Sequence, residues 1–312
     1  MGLLDELKRK ENWCAFFEHK KEKGHIYKKY EKALGDFIEE EKYLEKVEKI
    51  TEGSFVFSPP EKVYISKNEN KEKRCVYIFE EEEGYILKCL CHLMYKYDYL
   101  MNENCYSFRK NKSAHTAVKK IKAIKYKDEK YCVKLDIHNY FNSIPQEELA
   151  RVIEEEIKDD IALRDFLTRF VKDKRVKVGE EIVYEDKGAM AGCPLSSFFA
   201  NIYLKSLDEY FSKNVKYYFR YSDDILFFAD TLEEARHLTE VLKSEIEKRG
   251  LEVNGKKTLI YPPHSGFEFL GFFIKGECVD IAPHAKQKLK NKMRRKARAL
   301  YRWRSNVIKL RI

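Results

Sequence analysis

Three aspartates have the type and spacing for metal-assisted chemistry. Asp223 and Asp224 sit side by side in FRYSDDILFFAD, residues 219–230, where Phe219, Tyr221, Ile225, Leu226, Phe227 and Phe228 are strand formers. Two adjacent carboxylates repel each other and resist desolvation. Ser-Asp-Asp is also good turn chemistry, and an exposed turn would keep both charges in water. Asp136 ends the apolar run YCVKLD and is a second carboxylate that terminates a buried strand. If its strand lies beside the Asp223/Asp224 hairpin, the three converge as hard oxygen ligands for Mg²⁺, whose shell water and substrate phosphate complete. Two such ions about 4 Å apart would activate a 3′-hydroxyl and stabilise departing pyrophosphate. From these residues alone, the turn and the metal site both stand open.

The elements that must position them alternate along the chain. The first fifty residues, with Phe16, Phe17, Tyr27, Tyr30, Leu34, Phe37 and Leu44 at helix-like intervals, predict two or three amphipathic helices. A strand-like region follows over 55–79, with turns at Pro59-Pro60 and in SKNENKEK, then a helix over 84–100. Beyond Asp136 the pattern predicts helix over 145–175, a short hairpin around Gly179 and a helix over 198–211 after Pro194. After the two-aspartate hairpin come a helix over 232–249, a strand over 251–261 and a final hairpin, FEFLGFFI. This alternation suits an α+β protein with an antiparallel sheet backed by helices.

Composition narrows the classes. A chain of 312 residues with 14% aromatics, 36% charged residues, 7 prolines and 13 glycines is folded and helix-rich rather than disordered. Its formal charge of +9 suggests a polyanionic partner, and the excess is concentrated. No acidic residue follows Asp280, while twelve Lys and Arg crowd the stretch from Lys286 to Arg311. An apolar stripe at Leu289, Met293, Ala297, Leu300 and Trp303 predicts a helix docked by that stripe, with its charges turned to a phosphate backbone. Eight scattered cysteines lack paired CxxC or finger spacing, so reduced thiols are expected. The start has no signal-peptide core and no 18-residue apolar run follows, which predicts a cytoplasmic protein with no membrane partner.

Six ordered segments carry a family resemblance: CYSFRKNKSAHTAV, KLDIHNYFNSI, GAMAGCPLSSFFANIYL, YSDDILFF, GLEVNGKKTLI and FEFLGFFI. Together they resemble the bacterial reverse transcriptases related to group II intron enzymes. The resemblance implies a right-hand polymerase fold with fingers, palm and a short helical thumb. Residues 1–50 would be an N-terminal helical extension, 51–130 fingers, 131–285 palm with a fingers insertion at 145–187, and 286–312 a basic thumb helix. It implies Asp136, Asp223, Asp224 and the carbonyl of Ile137 as ligands of two Mg²⁺ ions, with Mn²⁺ as a substitute. Phe141 would be the steric gate that favours dNTPs, and Arg74, with Lys73, would grip the triphosphate beside Ala191 and Gly192. A guanidinium suits that task because its fork binds phosphate in two places. Lys257 would protonate pyrophosphate as it leaves. Arg109, Ser113, Tyr221, Ser222, Leu270, Gly271, Arg294, Arg295 and Arg298 would contact nucleic acid, Leu270 and Gly271 as the primer grip.

Two departures qualify the resemblance. Intron and retron enzymes usually carry Gln where this chain has Ala191, and the small residue is more like the abortive-infection and other defence-associated enzymes. Only about forty residues follow the primer-grip segment, which leaves room for a minimal thumb and no nuclease or maturase domain. The expected function is RNA-directed DNA synthesis in antiphage defence. Expected partners are an RNA template, a structured noncoding RNA, dNTPs, a DNA product, and a second copy or accessory defence protein. An error-prone enzyme of a diversity-generating retroelement and a catalytically idle RNA-binding scaffold are the alternatives.

Overall fold

The computed structural model describes residues 2–24, 28–66 and 73–309, with only the backbone described for 28, 29 and 305–309. Tyr27, most of the SKNENKEK turn and residues 310–312 therefore lie outside the described residues. Eleven strands occur among those described: β1 Glu61–Ser66, β2 Lys73–Ile78, β3 Tyr131–Asp136, β4 Arg175–Val178, β5 Glu181–Tyr184, β6 Tyr218–Tyr221, β7 Asp224–Ala229, β8 Leu259–Tyr261, β9 Phe267–Phe269, β10 Phe272–Lys275 and β11 Cys278–Ile281. They form three sheets, ordered β2-β1-β4-β5, β6-β7-β3-β8 and β11-β10-β9.

The central sheet is antiparallel throughout and separates two cores. Because side chains alternate along a strand, Val133, Leu135, Ile225 and Phe227 enter the larger core on one face. Cys132, Leu226 and Phe228 enter the smaller core, which β9, β10 and the helix Ala114–Lys122 complete. Burial on both faces explains the unbroken apolar runs, each fully buried side chain contributing roughly 1.5–3 kcal/mol. Register then decides the site. Asp136 pairs with Asp224, and the pleat aims both toward the smaller-core face, where the sheet ends.

Among its described residues the N-terminal segment has four helices rather than two or three: Leu3–Glu6, Lys10–Glu22, Lys28–Glu39 and Tyr43–Glu52. Leu4, Trp13, Phe16, Tyr43 and Val47 share the larger core with the central sheet, so these helices are built into it. The hairpin β4–β5 joins β1–β2 across more than a hundred residues of sequence and makes one sheet of the two segments.

Two further expectations need correction. The predicted strand over 251–261 reduces to β8, because Val253 bridges Ile137 and the N–H of Asn254 bonds the Asp136 carbonyl at 2.8 Å. The segment is bent around the end of β3 instead of lying along it. The C-terminal helix, Pro283–Lys309, is present, yet its apolar stripe is not docked on this chain. Leu289, Met293, Leu300 and Trp303 are between 49 and 67% exposed. Near its start the helix is tied down by His284 to Glu268 and Lys286 to Asp280.

Candidate active site

The turn between β6 and β7 brings the aspartates to one end of the sheet. Asp223 lies in the two-residue connection, its carbonyl accepting the N–H of Ile137 at 3.1 Å, so the chain just past Asp136 is stitched to the turn. Asp136 is buried and already engaged, taking Lys257 Nζ at 2.8 Å on one oxygen and Asn254 Nδ2 at 3.2 Å on the other. Lys257 arrives there because a short 3₁₀ turn, Gly255–Lys257, folds back over β3. Lys134, on the same face of β3, lies 3.7 Å from Asp224.

Electrostatics marks the cluster as crowded with negative charge. Burial pushes the Asp224 carboxyl up to about 6, with Asp223 and Asp136 adding to the rise and Lys134 opposing it. Burial and the Asp136 charge raise Asp223 as well. Burial alone would lower the Lys257 ammonium, but its bond to Asp136 and the other two carboxylates hold it above its ordinary value. Mutually raised carboxyls are what a divalent cation relieves, and hard oxygens are the donors it takes. The donor chemistry fits, although the ligands are not gathered. Among the described residues no three His, Cys, Asp or Glu side chains converge closely enough to hold a metal, and Asp136 is turned to Lys257.

Beneath the turn is a buried polar unit. Arg220 and Asp208 are fully buried and joined by two hydrogen bonds, Nε to Oδ1 at 2.7 Å and Nη2 to Oδ2 at 2.6 Å. Tyr218 donates to the same carboxylate at 2.8 Å, and Arg220 Nη1 donates to the Ser222 carbonyl at 3.2 Å. The Ser222 N–H donates to Ser107 Oγ at 2.9 Å, and Ser107 donates in turn to Asn201 Oδ1 at 3.0 Å. Ser222 is held at φ +59°, a left-handed conformation that these bonds from both sides sustain. None of Ser107, Asn201, Asp208 and Arg220 was expected at the site. Asn201 and Arg220 carried a faint signal, a polar or charged residue inside an apolar or aromatic run, which must find a partner when buried.

Two further segments meet beside the sheet. The Tyr77 N–H on β2 donates to the Ala191 carbonyl at 2.8 Å, tying the β1–β2 hairpin to the loop 188–193. Gly192, at φ +106°, must be glycine, since a Cβ would stand 2.7 Å from the Tyr77 carbonyl oxygen. The Ala189 N–H reaches back to the Phe141 carbonyl at 2.7 Å, so the loop also touches the half-buried Phe141. Lys73 and Arg74 begin β2 and are exposed.

Residues 65–274 match the reverse transcriptase (RNA-dependent DNA polymerase) family. The chain belongs to that family. It is 28% identical over 193 residues to an uncharacterised 91 kDa protein in the cob intron of Schizosaccharomyces pombe, covering 62% of this chain and 23% of that protein. It is 27% identical over 178 residues to the group II intron-encoded protein LtrA of Lactococcus lactis, covering 56% of this chain and 29% of that one. The apo telomerase of Candida tropicalis, truncated from its C-terminal domain, superposes with a TM-score of 0.54 at 16% identity over 73% of this chain and 56% of that one. The Candida albicans telomerase with a telomeric RNA fragment gives 0.51 at 15% identity, over 78% and 51%. The chain thus spans under a third of the curated relatives it matches and about half of these structures. The fold is the right-hand polymerase fold, and reverse transcriptase domains generally use divalent metal ions.

Within the reverse transcriptase fold, several residues sit differently from expectation. Arg109 does not face outward to nucleic acid: its guanidinium is spent on both Asp98 oxygens at 2.8 Å and on the carbonyls of Asp98, Asn102 and Cys105. Ser113 caps the helix Ala114–Lys122 in a reciprocal pair with Thr116. Ser222 is buried under its own turn, while Tyr221 is half-buried beside Phe108. Leu270 and Gly271 form the two-residue turn between β9 and β10 at φ +51° and +83°. Among the described residues, nothing beyond the adjoining chain lies within 4 Å of a Cβ added at Gly271, so the turn demands glycine and close backbone packing does not. Arg294, Arg295 and Arg298 are exposed on the C-terminal helix.

Proposed function

We propose that this chain is an RNA-directed DNA polymerase that extends a primer on an RNA template with dNTPs, using Mg²⁺ with Mn²⁺ as a substitute. What carries the proposal is the register that sets Asp136 against Asp224 while Asp223 is stitched to Ile137 at the same sheet end. The three aspartates and the Ile137 carbonyl would hold the ions, which when bound neutralise phosphate charge and activate the primer hydroxyl. The buried unit under Ser222 keeps the turn from moving. Phe141 would exclude a ribose 2′-hydroxyl, and Arg74 with Lys73 would engage the triphosphate beside Ala191 and Gly192. Lys257, held protonated between carboxylates, would donate its proton to pyrophosphate once released from Asp136. Leu270 and Gly271 would grip the primer and the exposed arginines of the C-terminal helix would hold the template–primer duplex.

The small Ala191 supports a cytoplasmic enzyme of antiphage defence that works with a dedicated structured RNA; a second copy or an accessory protein would add binding surface. An error-prone retroelement enzyme is the alternative, and adenine-directed errors in the product would favour that one. The Lys257–Asp136 ion pair favours a different reading, an RNA-binding scaffold that does no chemistry. Primer extension by the purified chain on an RNA template separates them. Metal-dependent incorporation that disappears in Asp223→Ala/Asp224→Ala is the expected result, and no incorporation with any template would leave the scaffold standing.

A further inference from the structure

Phe108 is an aromatic residue in a left-handed backbone conformation, φ +55°, and is 44% exposed. A bulky side chain rarely adopts that φ, and partial exposure offers little burial to offset it. Its neighbours impose the conformation. On one side Ser107 is fully buried and bonded to the Ser222 N–H, and on the other Arg109 is locked to Asp98. Two residues earlier, the Tyr106 N–H donates to the Arg220 carbonyl at 2.9 Å, fastening the segment to β6. Between these anchors the Phe108 ring is thrust against Phe141, edge to face with centroids 6.0 Å apart, and lies 6.5 Å from the Tyr221 ring.

We propose that Phe108 is a specificity-determining residue that buttresses Phe141 and so sets how strongly the site rejects a ribonucleotide. The inference rests on the reading of Phe141 as the gate. A gate ring excludes a 2′-hydroxyl only if it cannot swing aside, and Phe141 is only half-buried. The edge-to-face contact with Phe108 supplies the missing wall, and the anchors at Ser107 and Arg109 keep that wall from yielding. Because the same segment fastens the aspartate turn, the gate and the reacting centre share one rigid reference.

Phe108→Gly tests this cleanly, since glycine accepts φ +55° without strain and removes only the ring. Two readouts are compared for dGTP and GTP on an RNA template opposite cytosine: single incorporation, and equilibrium binding to a dideoxy-terminated primer, which needs no turnover. The expected result is that Phe108→Gly narrows the preference for dGTP about tenfold in both, through tighter GTP use, while dGTP incorporation stays within about threefold and the melting temperature does not fall. Phe108→Tyr should keep the preference. An unchanged preference in Phe108→Gly, or a parallel loss for both nucleotides, overturns the inference. Phe141→Ala run alongside separates the failures. If it widens GTP use and Phe108→Gly does not, the buttress alone is wrong; if neither does, the gate reading falls with it. A wild-type chain that binds neither nucleotide overturns the polymerase reading and this inference together.

Discussion

The arginine under the aspartate turn and the arginines of the C-terminal helix carry the same charge in opposite circumstances. Arg220 is fully buried, with Asp208, Ser222, Cys105 and Asn201 around its guanidinium. Arg294, Arg295 and Arg298 stand exposed on a helix whose apolar stripe is bare. A buried charge stripped of its partner is left unsolvated, so Arg220 is bound into the architecture. An exposed charge is solvated already and adds little to folding, so the terminal arginines are available to a polyanion. One region fixes geometry, and the other displays charge.

The contrast can be broken at four points, in descending order of effect. Replacing Asp136 by Ala should lower primer extension more than a thousandfold while leaving template–primer binding within a few fold, checked by single-turnover extension and a filter-binding titration. If binding falls with activity, the site is not confined to chemistry. Arg220→Met should destabilise the fold by about 3–5 kcal/mol in urea unfolding, because Asp208 is left buried and unpaired, and Arg220→Met/Asp208→Leu should recover much of that. A loss under 1 kcal/mol would show that water reaches the unit.

The triple change of Arg294, Arg295 and Arg298 to Ala should weaken duplex binding about tenfold at low salt and flatten the dependence of log affinity on log salt by about 2 to 3, with no change in unfolding. An unaltered salt slope would remove the helix from the nucleic-acid surface. The smallest effect concerns pH. Asp224 has its folded-state value raised to about 6 from an ordinary 3.8, so the native chain binds the extra proton. Its contribution to stability is therefore present at low pH and is lost as pH rises from about 4 through 6. In divalent-free buffer Asp224→Asn should stabilise the protein at pH 7 by about 1 to 2 kcal/mol and have little effect at pH 4, and added Mg²⁺ should narrow the gap for the unsubstituted chain. A stabilisation independent of pH would exclude the charge as its cause.

Much of the site was legible in the chain because it is local. Asp223 and Asp224 are adjacent, Asp136 closes a six-residue strand, and strand chemistry on either side marks both. The nature of Gly192 and Gly271 was legible too, but the reason was not: one glycine is required by the Tyr77 backbone and the other by a turn. Arg109 was ambiguous, because an arginine beside an aromatic looks the same whether it faces solvent or, as here, Asp98. The apolar stripe of the C-terminal helix misled in the reverse sense, since periodicity describes a face without stating that anything covers it.

Residue type and alternation alone determined that this chain makes carboxylate-tipped buried strands, amphipathic helices and a basic terminus, because those properties follow from neighbours a few positions apart. Only the tertiary structure decided that Asp136 faces Asp224, that Lys257 holds Asp136, that Arg220 and Asp208 neutralise each other beneath Ser222, and that Phe108 leans on Phe141. Those pairings join positions 12 to 121 residues apart. Their energy depends on register and desolvation, which exist only once the sheet has formed.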